Sequence, residues 1–165
     1  MNCLKERKQL YGSADGYALY RLVMEECFGL THTDILLGKD NQISEEYLAR
    51  LLEISGRLRK NEPVQYVLGY ADFCGRRFAV RPGVLIPRPE TELRVQKALE
   101  LGHVMEGVTE PEALDIGSGS GCIAVSMALA GCRGTAMDIS EEALEIAMQN
   151  ATALNAEVAF VHENI

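Results

Sequence analysis

Residues 114–124, "LDIGSGSGCIA", decide how the second half of this chain is read. A short apolar run carrying Asp115 leads into three glycines, Gly117, Gly119 and Gly121, separated by Ser118 and Ser120. The apolar stretch "CIAVSMALAG" follows at once. The pattern is a strand, a tight turn and a helix. Glycine in such a turn removes the Cβ atoms that would hold a ligand away from the main chain. The spacing is D-x-G-x-G-x-G, because Cys122 stands where G-x-G-x-x-G would place a third glycine.

That spacing bears on the ligand. A nicotinamide dinucleotide would set its pyrophosphate at the helix N-terminus, where anions are favoured, and Asp115 beside it would oppose a second negative charge. S-adenosylmethionine has no phosphate and carries a sulfonium and an ammonium, which a carboxylate helps. Asp138 ends the next apolar run, "GTAMDI", 21 residues after Gly117. It stands where an acid accepts hydrogen bonds from ribose hydroxyls in dinucleotide folds. The residues therefore favour S-adenosylmethionine over NAD, with Asp115, Gly117, Ser118, Gly119, Ser120, Gly121 and Asp138 as cofactor-binding residues. Each acid also has a plainer reading, Asp115 as a brace for the glycine turn and Asp138 as a strand-end turn acid.

Outward from the loop, strands and helices alternate. "EALDI", "GTAMDI" and "EVAFVH" read as strands, and "SGCIAVSMALAG" and "SEEALEIAMQNATALN" as the helices between them. Alternation at these lengths is the signature of parallel-sheet units. Upstream, "DFCGRRFAV" reads as a hairpin around a Gly-Arg turn, and "RPGVLIPRP" as an extended strap, since residues before proline avoid the helical region. Pro89 suits the first position of a helix running to about Leu101. Residues 1–68 read as helices: an apolar stripe Ala18, Leu22, Val23 and Cys27 closed by Gly29, a short helix capped by Thr31 or Thr33, and a longer one capped by Ser44 and stopped before Pro63. "GRLRK", residues 56–60, reads as a basic helix C-terminus.

Composition narrows the class. A net charge of −8 argues against a general nucleic-acid-binding surface, which needs a basic stripe. The five cysteines, Cys3, Cys27, Cys74, Cys122 and Cys132, are scattered without a Cys-x-x-Cys pair. That is the usage of a reduced, cytoplasmic protein without a disulfide framework or metal site. No apolar run approaches the roughly 18 residues of a membrane span, and "MNCLKERKQL" has no signal-peptide core.

Two stretches together, "EPVQYVLGYADFCGRRFAVRPGVLIPRPETELRV" and "ALDIGSGSGCIAVSMAL", resemble the HemK/PrmC family, the release-factor glutamine N5-methyltransferases. The "IPRPETE" segment is its specific part. The resemblance implies a helical substrate-docking domain (1–68), a hairpin and strap linker (69–88) and a partial Rossmann-like class I methyltransferase domain (89–165). It implies S-adenosylmethionine as cofactor and a peptide chain release factor as protein substrate. Arg88 and Glu90 would border the active-site cleft; an ion-pair cluster stiffening the joint is the competing reading. Asn164 falls where family members carry an acid facing the adenine. The family's acceptor-gripping Asn-Pro-Pro-Tyr loop does not occur in these 165 residues, so no catalytic residue is assigned. The expectation is an N-terminal fragment, inactive alone, whose strand "EALDI" keeps an open edge inviting self-association. The alternative is a non-catalytic cofactor- or partner-binding module.

Overall fold

The computed structural model describes residues 14–41, 44–104 and 111–164. The readings made of the first ten residues and of Cys3 lie outside that set. Contacts divide the chain into two units, Met1–Leu68 and Gly69–Ile165.

The first unit is helical: α1 (Ala14–Phe28), α2 (His32–Leu36), a 3-10 turn (Lys39–Asn41), α3 (Glu45–Arg59) and α4 (Val64–Leu68). Thr31 caps α2 in a capping box, its hydroxyl accepting from the Asp34 amide while the Asp34 carboxylate accepts from the Thr31 amide. Ser44 caps α3 by accepting from the Tyr47 amide. Arg57 near the end of α3 donates twice to Glu62, at 2.8 and 2.6 Å, and once to the Tyr66 carbonyl. This part of the basic cluster thus ties the turn between α3 and α4.

The stripe on α1 differs from the expected one. Tyr20, Val23 and Met24 are buried with Cys27 packed beside them, whereas Ala18 and Leu22 are exposed. The physical reason lies in a polar pair: the Tyr20 hydroxyl donates to the buried Asp40 carboxylate at 2.6 Å. A tyrosine with a partner for its hydroxyl brings a larger apolar surface into a core than Ala18 can.

The second unit opens with an antiparallel hairpin, β1 (Tyr70–Phe73) and β2 (Arg76–Ala79), in register Tyr70↔Ala79. Its turn is Cys74-Gly75, one residue before the expected Gly-Arg pair, and both residues have positive φ (49° and 71°). Two left-handed residues match the strand twist in a two-residue hairpin loop. Phe73 and Phe78 are fully buried and meet edge to face at 6.0 Å.

The strap is extended only in part. Residues 81–84 form a turn closed by the Val84 amide on the Arg81 carbonyl, with Gly83 at φ 111°. Arg-Pro-Gly-Val carries proline and glycine where a type II turn wants them, and this outweighs the extended preference before proline. Residues 85–88 then run without regular structure into α5 (Pro89–Val104), whose first turn is closed by the Thr91 amide on the Arg88 carbonyl.

β3 (Glu112–Ile116), α6 (Cys122–Leu129), β4 (Arg133–Asp138), α7 (Glu141–Ala153) and β5 (Val158–His162) complete the unit. The strands are parallel in the order β3-β4-β5, with Asp115 opposite Ala136 and Asp138 opposite His162. This is the expected helical part, hairpin and half of a Rossmann-like sheet. Phe73, Phe78, Val95, Cys122, Val125 and Ala151 form one core, so the hairpin packs with the helices of the sheet. Among the described residues β3 pairs only with β4, and Leu114 and Ile116 remain more than half exposed.

Candidate cofactor site

The glycine loop owes its shape to three left-handed residues: Gly117, Gly119 and Gly121 have φ of 74°, 53° and 75°. A Cβ on any of them would be strained, but the space around them differs. At Gly121 it would lie 2.8 Å from the Cβ of Ala147, so this glycine lets α6 and α7 meet closely. At Gly117 it would meet nothing within 4 Å. Gly117 therefore faces open space, as a backbone that receives a ligand must.

Both acids reach the loop. Asp138 Oδ2 accepts from the Gly119 amide at 2.8 Å, and Oδ1 from the Ser140 amide at 3.0 Å. Asp115 Oδ2 accepts from the Ala124 amide at 3.2 Å. Gly121, at the N-cap of α6, has no side chain to cap with, and Asp115 supplies the missing acceptor from the neighbouring strand. Each acid thus makes bonds that fit its plainer reading, Asp115 bracing the turn into α6 and Asp138 closing the turn at its own strand end on the Ser140 amide. A carboxylate offers about four lone-pair sites, so Asp138 retains acceptor capacity for two hydroxyls.

Electrostatics separate the candidate ligands. Burial raises the Asp115 pKa above its ordinary value, the Ala124 hydrogen bond lowers it, and the charge of Asp138 raises it further. Two partly desolvated acids beside one loop favour a cation. The donors a phosphate would need are also largely engaged. The Gly117 and Ser118 amides both donate to the Met137 carbonyl, the Gly119 amide to Asp138, and the Gly121 amide to the Ser118 carbonyl.

The remaining predicted residues fall in three places. Ser118 and Ser120 are buried in the loop with their hydroxyls shielded from solvent, so any contact they make with a cofactor runs through the main chain. Asn164 is exposed just beyond β5, next to Glu163, whose amide donates to the Asp138 carbonyl. Arg88 and Glu90 are exposed, and among the described residues neither has an ion-pair partner. The strap nevertheless lies against the loop, with the Leu85 amide nitrogen 4.0 Å from where a Gly119 Cβ would sit.

One residue was missed from the sequence. Asn150 on α7 is buried and bonded both to Ala79 of β2 and to the Ser120 carbonyl of the loop. The signal was present: Asn150 shares a helical face with Ala143 and Ala147, so an amide was being placed in a core. A mainly apolar cavity of about 430 Å³ lies along β3 between α5 and α6, lined by Val95, Leu101, Leu114, Ile123 and Met127 and reaching Asp115. Among the described residues no group of three or more His, Cys, Asp or Glu is placed to hold a metal, and no helix is long and apolar enough to cross a membrane.

Comparison with known proteins agrees with this architecture. Residues 3–69 match the PrmC N-terminal domain and residues 113–165 a methyltransferase domain. A release factor glutamine methyltransferase of Bacteroides thetaiotaomicron is 44% identical over 160 residues, covering 96% of this chain and 56% of the relative. One from Koribacter versatilis is 41% identical over 150 residues, covering 90% and 50%. The chain thus spans about half the length of these curated relatives. Among solved structures, a Pyrococcus abyssi tRNA (uracil-54, C5)-methyltransferase in complex with S-adenosyl-L-homocysteine is 25% identical, over 57% of this chain and 23% of that one, at a TM-score of 0.47. The methyltransferase match assigns S-adenosylmethionine, not NAD, to the second unit. The chain thus joins a domain of the PrmC N-terminal type to a methyltransferase domain, and it is similar to release factor glutamine methyltransferases along both.

Proposed function

We propose that this chain carries the substrate-docking domain and half of the cofactor site of an enzyme that methylates a glutamine side-chain amide, at N5, in peptide chain release factors. The observation that carries the cofactor half is the loop in which Gly117, Ser118, Gly119 and Gly121 have engaged amides and two acids stand alongside. The names of the relatives support the acceptor. S-adenosylmethionine, when bound, supplies a methyl group on a sulfonium. In this reading the Gly117–Gly121 backbone holds its methionine end, Asp138 accepts from the ribose hydroxyls, and Asn164 faces the adenine. Arg88 and Glu90 border the cleft, and residues 1–68 dock the release factor in the cytoplasm.

An amide nitrogen is a poor nucleophile because its lone pair is shared with the carbonyl, so holding and aligning it supplies most of the catalysis. The family's Asn-Pro-Pro-Tyr loop does that, and these 165 residues contain none. Among the described residues β3 is paired on one side only and exposes Leu114 and Ile116, an edge through which two copies would pair. Radiolabelled methyl transfer to an intact release factor tests the proposal. A longer form that includes the acceptor loop should label the glutamine, and residues 1–165 should not. Labelling by the 165-residue chain would contradict the division of labour. Failure of the longer form would contradict the substrate.

A further inference from the structure

Asn150 makes three hydrogen bonds, all to main chain and two of them to a residue far away in sequence. Its Oδ1 accepts from the Ala79 amide at 2.7 Å. Its Nδ2 donates to the Ala79 carbonyl at 3.0 Å and to the Ser120 carbonyl at 2.9 Å. Ala79 is the last residue of β2, and the strap begins two residues later at Arg81. Ser120 lies inside the glycine loop. One buried amide therefore joins the root of the strap to the loop, which are 41 positions apart in the chain.

The neighbours on α7 extend the same connection. Ala147, one turn earlier, is the residue against which Gly121 packs. Glu145 lies 3.5 Å from Arg81, at the start of the strap's turn, and Glu142 stands 3.6 Å from where a Gly83 Cβ would be. The exposed Arg81–Glu145 pair contributes little, whereas the buried amide leaves three main-chain groups unsatisfied if it is removed. At the far side of the turn, Leu85 lies against Gly119.

We propose that Asn150 is a positioning residue that holds the strap in register against the glycine loop, so that the wall beside Gly119 is set before the cofactor binds. This rests on the cofactor reading above, and Asn150 itself touches no substrate. Its contribution is to pre-organisation, which acts on affinity by sparing the cost of ordering two segments on binding.

The test uses the 165-residue chain and S-adenosylhomocysteine as probe, well below the unfolding temperature. Asn150→Ala should weaken binding at least tenfold, while Ile146→Val, a core change on the same helix, stays within twofold. Asn150→Asp retains the acceptor for Ala79 but lacks the donor until its carboxyl protonates. Its deficit relative to the unmodified chain should therefore shrink from pH 8 to pH 5, and that of Asn150→Ala should not. Hydrogen exchange gives a readout independent of ligand. In Asn150→Ala, the amides of Ala79 and Gly121 should exchange faster while those of β4 keep their protection. Equal affinity of Asn150→Ala and the unmodified chain, or acceleration spread evenly through β4, would overturn the proposal. If the unmodified chain binds no probe, the cofactor reading fails, and the exchange pattern alone decides whether Asn150 couples the strap to the loop.

Discussion

The two units are held by polar contacts of different reach. In the helical unit most of them are local. Thr31 and Asp34 are three residues apart, Ser44 and Tyr47 also three, and Arg57 and Glu62 five. In the second unit the bonds that shape the glycine loop join Gly119 to Asp138, Ser120 to Asn150 and Ala79 to Asn150, at separations of 19, 30 and 71. Local bonds satisfy helix ends and leave the surface free to vary. Long-range bonds fix one backbone against another, which a ligand site needs before the ligand arrives. The difference marks the second unit as the one built around a cofactor.

Substitution within the glycine loop breaks this contrast most severely. Gly121→Ala forces a Cβ to 2.8 Å from Ala147 at a φ of 75°. Overpacking costs about 1–3 kcal/mol and left-handed backbone about 1–2 kcal/mol more. Urea unfolding followed by circular dichroism should show the sum. Gly117→Ala meets open space, so only the roughly 1–2 kcal/mol backbone term applies. Under the proposed site its larger effect should be on cofactor affinity, because the new methyl would enter the space assigned to the ligand. If both variants lose stability equally, the distinction between a packing glycine and a ligand-facing one is wrong.

A smaller loss is expected in the helical unit. Ser44→Ala removes the cap of α3 and should cost about 0.5–2 kcal/mol, with cofactor affinity unchanged in the same preparation. Loss of affinity would show that the two units are coupled.

The smallest effects are in pH dependence, where two acids have opposite signs. Lys39 and Thr31 hold the Asp34 pKa down at about 2, from an ordinary 3.8. A depressed carboxyl stabilises the fold above its unfolded pKa, and that contribution disappears as pH falls from about 4 towards 2. Asp115 is shifted upward by burial, so its charge costs stability at neutral pH and the cost is relieved as pH falls towards its folded pKa. Thermal unfolding across pH should show Asp34→Asn flattening the acid limb. Asp115→Asn should raise the melting temperature at pH 7 while weakening cofactor binding.

What could be read from the sequence follows the same divide. Caps, the βαβαβ order, the proline at the start of α5 and the two acids all rest on short-range patterns or on a motif. The stripe on α1 could not be placed because Tyr20 and Asp40 meet across 20 residues. The turn at Arg81–Val84 is legible in Pro82-Gly83, and it forms although the prolines that follow favour an extended strap. Asn150 was visible only as a polar residue on a buried helical face; its partners Ala79 and Ser120 carry no side-chain signal, since they bond through main chain. The tight packing of Gly121 on Ala147 likewise depends on how two helices meet and not on either sequence.

The loop and Asp138 together are the proposed cofactor site. Calorimetric titration of S-adenosylmethionine into a full-length form and its Asp138→Ala variant tests it most directly. Loss of charge-assisted bonds should weaken binding by about 1.5–3 kcal/mol for each ribose hydroxyl released, and NAD should bind more weakly than S-adenosylmethionine to the unmodified protein. Unchanged affinity in Asp138→Ala, or tighter binding of NAD, would contradict the account.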